Sequence, residues 1–151
     1  MTKLCKILFI GSSSTGKTSI IRRYVKNSFL PSYRATIGAD FLAKVVHWDE
    51  KVTLRLQLWD IAGKRNETFG HFSRVKSIFF TGQDRFSLLS RSFYKDAAGA
   101  FIVSDISRPD TLEAVVRWKE ELDYKTEGDS DNGKPIPCFL LANKVAIRLG
   151  I

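Results

Sequence analysis

Gly11-Ser12-Ser13-Ser14-Thr15-Gly16-Lys17-Thr18 is the stretch on which the reading of this chain turns. It fits the spacing G-x-x-x-x-G-K-[ST], follows the apolar run Ile7-Leu8-Phe9-Ile10, and leads into a helical pattern with Ile20, Ile21, Tyr24 and Val25 along one side. Strand, loop and helix in that order make a phosphate-binding loop, where a Ser/Gly-rich turn of no function would need only the loop. The chemistry is anion capture. Gly11, Ser12, Ser13, Ser14, Thr15 and Gly16, with Lys17, Thr18 and Ser19 opening the helix, turn backbone N–H groups and the positive helix end toward an anion. Lys17 reaches the terminal phosphates and the Thr18 hydroxyl ligates Mg²⁺, while Gly11 and Gly16 let the backbone come close.

Working outward, the 151 residues are 44% hydrophobic, which suits one domain with a real core. The net charge of +8 is scattered along the chain and not gathered into a stripe, so it reads as a solvated basic surface, and no nucleic acid is expected as partner. Cys5 and Cys138 lie in apolar runs without metal-type spacing. The N-terminal apolar run is too short for a cleavable leader, and no stretch approaches the roughly 18–20 apolar residues of a membrane span. A reduced, cytoplasmic monomer is the expectation.

The elements follow in order. Lys6 to Ile10 is a strand and Thr18 to about Asn27 a helix, stopped ahead of Phe29-Leu30-Pro31 because proline disfavours helix at the residue before it. After a loop from Ser32 to Gly38, Asp40 to Trp48 and Thr53 to Trp59 flank the turn Asp49-Glu50-Lys51 as a hairpin. Ala97 to Val103 and Ile136 to Ala142 are buried-type strands around a helix from Pro109 to about Tyr124. The fold class is α/β, a mostly parallel central sheet with one antiparallel hairpin, in a single domain over 1–151. Thr126 to Gly133 is acidic and turn-rich but lacks the glycine and glutamate positions of a calcium loop, and His47 and His71 read as surface residues.

Four further motifs stand behind the phosphate loop: Thr36 in Arg34-Ala35-Thr36-Ile37-Gly38, then Asp60-Ile61-Ala62-Gly63, Gln83-Asp84-Arg85-Phe86, and Asn143-Lys144. Together these resemble the Ras superfamily of small GTPases, with the P-loop G-domain fold, over residues 3–63 and 83–144. Within it, Ile37-Gly38-Ala39-Asp40-Phe41, Leu56-Gln57-Leu58-Trp59-Asp60 and Gly99 to Asp105 look like the Rab family, and Ile61 is similar to the branch serving lysosome-related organelles and melanosomes. The resemblance implies GTP/GDP and Mg²⁺ as ligands, vesicle trafficking as the setting, and exchange factors, GTPase-activating proteins and effectors as partners. It implies that Thr18, Thr36 and Asp60 serve the metal, Asp60 through water. Gly63 would offer its N–H to the γ phosphate, Gln83 would orient the attacking water, and Phe29, Asn143 and the Lys144 stem would meet the guanine. Phe41, Trp59 and Phe93 match an effector-facing aromatic triad and read equally well as ordinary core.

Departures from the family pattern carry their own expectations. Ser13 and Ser14 stand where relatives often have glycine or one serine, so crowding of the catalytic water is expected to slow hydrolysis. Between Gly63 and Gln83 lie the 19 residues 64–82, with four phenylalanines and a net +3. A longer loop costs only about 1 kcal/mol in closure entropy, but it frees a side chain that must be held to within about 0.5 Å. After Lys144 the family aspartate is replaced by Val145-Ala146, so 145–151 reads as a non-family tail: guanine selectivity should fall, the last strand, last helix and prenylated anchor are not expected, and folding should be marginal. Gly63-Lys64-Arg65 can be written GGT AAG AGA and Lys144-Val145 AAG GTA, both splice-donor-like, which suggests retained intron sequence; genomic sequence continuous in coding at both points would refute that origin.

Overall fold

The computed structural model describes residues 1–63, 91–128 and 134–150. Five strands form one sheet: β1 (Thr2–Ile10), β2 (Ala39–His47), β3 (Thr53–Ile61), β4 (Gly99–Asp105) and β5 (Cys138–Asn143), in the order β2-β3-β1-β4-β5. β1 runs parallel to β3 and β4, β4 runs parallel to β5, and β2 is antiparallel to β3 with Phe41 opposite Trp59. Helices α1 (Lys17–Lys26), α2 (Pro109–Glu113), α3 (Val115–Thr126) and α4 (Val145–Leu149) lie among the described residues, where 91–94 are helical as well.

Why β1 is central follows from its sequence. A strand buried on both faces needs apolar side chains at successive positions, and Ile7-Leu8-Phe9-Ile10 supplies them. Leu8 and Ile10 join Ala100, Ile102, Trp118 and Leu122 on one face, so that face is covered by α3. Phe9 joins Ile21, Leu58 and Val103 on the other, with Ile7, Ile20 and Val25 packed around them, so that face is covered by α1. The two-residue period of a strand sorts β4 in the same way: Ala100 and Ile102 go to the α3 side, Val103 to the α1 side. β5 is an edge of the sheet among the described residues, and its Phe139 is 63% exposed although it meets Phe101 at 5.9 Å between ring centroids.

Several boundaries differ from the sequence expectation for identifiable reasons. β1 starts at Thr2, because pairing of Thr2 with Thr53 extends the ladder through residues too polar to mark a strand by themselves. α1 ends as expected at Asn27, but the proline is not what ends it. Asn27 takes the left-handed conformation (φ 51°) that asparagine tolerates at a helix end, and its N–H donates to Arg23 O at 3.0 Å. The helix expected from Pro109 is divided into two at Ala114, which keeps right-handed helical angles and both of its helical bonds, Ala114 N to Asp110 O and Trp118 N to Ala114 O at 3.1 Å. The segment read as a tail outside the pattern forms α4, closed by Gly150 at φ 71°.

The parallel strands β1, β3, β4 and β5 all point their C-terminal ends one way. The loops that follow them begin at Gly11, Ala62, Ile106 and Lys144, which gathers the segments singled out in the sequence along one sheet edge. In open α/β sheets that edge is where ligands bind.

Candidate functional site

The loop between β1 and α1 is fixed from behind. Gly16 has φ 101°, and a Cβ there would stand 2.3 Å from Asn143 Nδ2, so only glycine lets the asparagine press in. Asn143 donates from Nδ2 to Thr15 O at 2.8 Å, and Lys144 donates from Nζ to Ser14 O at 2.7 Å. The Thr15 hydroxyl, fully buried, donates to Ser12 O at 3.0 Å, and Trp118 Nε1 reaches Ser12 Oγ at 3.4 Å. In a trans peptide the carbonyl and the following N–H point opposite ways. Carbonyls drawn toward β5 therefore turn the N–H groups of Thr15 and Gly16 to the opposite side, the disposition an anion needs.

Lys17, the first residue of α1, is 6% exposed and donates to Gly11 O at 2.8 Å and Ser12 O at 2.9 Å. Burial pulls its ammonium down to about 8, with the nearby Asp60 carboxylate opposing that shift. A buried, partly destabilised cation beside inward N–H groups is a receptor for negative charge.

Next to it, three oxygen-bearing side chains from three segments converge. Thr18 Oγ1 lies 3.1 Å from Thr36 Oγ1 and 2.5 Å from Asp60 Oδ2, to which Thr36 Oγ1 also donates at 3.0 Å. Thr36 is brought in by the loop before β2, tied at its end by Ala62 N to Gly38 O at 2.9 Å. Asp60, 4% exposed, leaves Oδ1 buried with no partner among the described residues. A buried carboxylate whose Oδ2 meets two hydroxyls while its Oδ1 is left without a partner is a donor set for a hard cation such as Mg²⁺ that keeps some of its water or phosphate ligands, and the residues fit that ion. Among the described residues no three His, Cys, Asp or Glu side chains cluster, so a nitrogen- or sulfur-ligated metal has no comparable set.

The remaining expected residues fall as follows. Gly63 approaches the loop so closely that a Cβ would lie 2.5 Å from Ser13 N. Ser19 lies in the first turn of α1. Phe29 is 58% exposed beyond the end of α1. Gln83, the 64–82 stretch and His71 lie outside the described residues, as does part of the acidic loop before β5. Phe41 stacks on Trp59 at 5.0 Å and Trp59 meets Phe93 at 6.2 Å, a run that passes from a 45% exposed ring into residues packed on the core.

Asp105, Ser107, Arg108 and Thr111 also bear on the site, although none of the site motifs names them. Asp105 is 1% exposed, pairs with Lys144 at 2.7 Å, and accepts from Ser107 N at 3.0 Å and Ser107 Oγ at 2.5 Å. Burial alone would raise its carboxyl; the bonds from Lys144 and Ser107 outweigh that and hold it below the usual carboxylate range. Thr111 Oγ1 donates toward Asp105 O and accepts from Asp105 N, both at 2.9 Å. The signal was present in Asp105-Ile106-Ser107-Arg108-Pro109, an acid and a small polar residue two apart before a proline-started helix, which is an Asx-turn pattern.

Fold and site together define a P-loop G domain. A family model described as "Ras family" matches residues 73–149, and one described as "Ras of Complex, Roc, domain of DAPkinase" matches residues 6–79, the two meeting inside the 64–82 stretch. The chain is 50% identical to "Ras-related protein Rab-32" of Homo sapiens over 141 residues, 93% of this chain and 53% of that protein. It is 47% identical to "Ras-related protein Rab-32A" of Dictyostelium discoideum (93% and 55%) and 39% identical to human "Ras-related protein Rab-7L1" (93% and 59%). The chain belongs to the Ras family, among its Rab small GTPases. It spans about half the length of the curated relatives it matches.

Proposed function

We propose that this chain binds guanine nucleotide with Mg²⁺ and is a switch protein of membrane trafficking, hydrolysing GTP slowly. The observation that carries this reading is the convergence of Thr18, Thr36 and Asp60 oxygens beside the buried Lys17. When bound, Mg²⁺ would neutralise phosphate charge and polarise the phosphoryl oxygens. The chain's own part is positioning. Loop N–H groups and Lys17 would bind the phosphates, Thr18 and Thr36 would hold the cation with Asp60 behind them, and Gly63 would offer its N–H to a terminal phosphate. Asn143 and Lys144 would meet the base, with Phe29 as an aromatic wall. Thr36 belongs to a connecting loop, so closure over a third phosphate would distinguish triphosphate from diphosphate states, and that difference is what regulators and effectors read. Likeness to Rab-32 and Rab-7L1 supports vesicle and lysosome-related-organelle membranes as the place of action.

Slow turnover is expected because 19 residues separate Gly63 from Gln83, the residue assigned to orient water. The same separation supports a second reading, a non-cycling module that engages regulators or effectors only. Binding of fluorescent GDP, followed by single-turnover GTP hydrolysis, separates them: Mg²⁺-dependent affinity with measurable turnover supports the switch, affinity without turnover supports the module, and no affinity overturns the nucleotide reading.

A further inference from the structure

Ser14 occupies φ 62°, the left-handed region that side-chain-bearing residues disfavour, in the middle of the phosphate loop. The peptides on both sides of it are held by cations from far along the chain. Before it, Arg108 Nη1 donates to Ser13 O at 3.1 Å; after it, Lys144 Nζ donates to Ser14 O at 2.7 Å. Both cations are themselves tethered, Arg108 to Asp110 at 2.8 Å and Lys144 to the buried Asp105 at 2.7 Å.

We propose that Arg108 is a positioning residue for nucleotide binding: with Lys144 it clamps Ser14 in the left-handed conformation, and thereby orients the Ser14 and Thr15 N–H groups toward the phosphates. Two carbonyls fixed on one face leave the intervening residue no room to relax to negative φ without breaking a charge-assisted bond. A glycine at this position would hold the same conformation unaided. The serine therefore makes the loop depend on Arg108, and the inference rests on the nucleotide-binding reading above.

The decisive measurement is a mutant cycle on the full chain, reading fluorescent GDP affinity in Mg²⁺. Arg108 is 37% exposed and its bond partly screened, so Arg108→Ala should weaken binding about 3- to 10-fold, an effect that shrinks as salt rises. Ser14→Gly should cancel it: in that background Arg108→Ala changes affinity less than about twofold. A residue that only supported the fold would cost the same in both backgrounds, and that result, or no loss in the first, overturns the clamp. Amide hydrogen exchange at Ser14 and Thr15 without nucleotide supplies an independent reading, with faster exchange in Arg108→Ala expected and unchanged exchange refuting. If the wild-type chain takes no GDP, the nucleotide reading fails while the exchange experiment still decides whether the clamp exists.

Discussion

Breaking the Asp105–Lys144 pair should cost both stability and the shape of the phosphate loop. The carboxylate side chain is 2% exposed and the ammonium side chain 29%, at 2.7 Å. Exposed pairs contribute up to about 1 kcal/mol, and removing one partner of a fully buried pair costs about 3–5 kcal/mol. A pair buried at one end lies between, near 2 kcal/mol in order of magnitude, which for a chain of this length is a fall of about 4–8 °C in Tm. Asp105→Asn keeps an acceptor for Ser107 but turns the lysine's partner neutral; Lys144→Met keeps the stem and removes the charge. Thermal unfolding of both single variants and the double gives the coupling, expected at about 1–2 kcal/mol. Acid provides the second arm. The folded Asp105 carboxyl sits below its ordinary 3.8, so its contribution is complete above that pH and is lost as pH falls through 3.8 toward the folded value. Lys144→Met removes one of the bonds that lower it, so the acid loss of stability should be shallower in that variant. Coupling below about 0.5 kcal/mol, or identical acid slopes, would refute the account.

Three other outcomes follow from the site. Lys17 is held at about 8 in the free protein, below the 10.5 of an ordinary lysine, so near pH 8 roughly half the molecules carry it neutral. Phosphate restores its charge, and calorimetry in buffers of different ionisation enthalpy should find uptake of about half a proton on GDP binding at pH 8, vanishing by about pH 6.5. The same shift means the free protein gains stability through this group between about pH 8 and 10.5, where the unfolded chain binds more protons. Gly16→Ala meets both a left-handed backbone and Asn143 Nδ2, so GDP affinity should fall at least about tenfold in the fluorescence titration, whereas a clash relieved by simple rotation of Asn143 would leave it unchanged. Single-turnover GTP hydrolysis should be faster in Ser14→Gly than in the wild-type chain if the serine crowds the water, and equal rates would remove that idea.

The fold was legible where side chains follow a period. The apolar run Ile7 to Ile10 marked a strand, and the runs flanking Asp49-Glu50-Lys51 marked a hairpin, because burial selects side chains directly. Boundaries were legible only where a residue acts alone. Proline at 31 pointed to the right end of α1 for the wrong reason, since Asn27 ends the helix through its own left-handed backbone. In the site, Thr18, Thr36 and Asp60 could be named from motifs, and their meeting depends on β3 and the loop before β2 arriving together.

What sequence could not disclose was the hold on the phosphate loop. Arg108 and Lys144 act on backbone carbonyls of Ser13 and Ser14, and a carbonyl has no identity that a pattern can register. Their partners are 95 and 130 residues away along the chain. The loop's conformation is therefore a tertiary property, although its motif is local. Glycine at position 14 would have allowed the strand–loop–helix segment to set its own phosphate cradle; serine transfers part of that task to the loops after β4 and β5. These contacts form only when β4 has docked on β1 and β5 on β4, and such long-range pairings come late because chain closure must precede them. If the chain binds nucleotide as proposed, its affinity is expected to report on completion of the β4–β5 half of the sheet, a dependence that the phosphate-loop motif by itself gives no reason to expect.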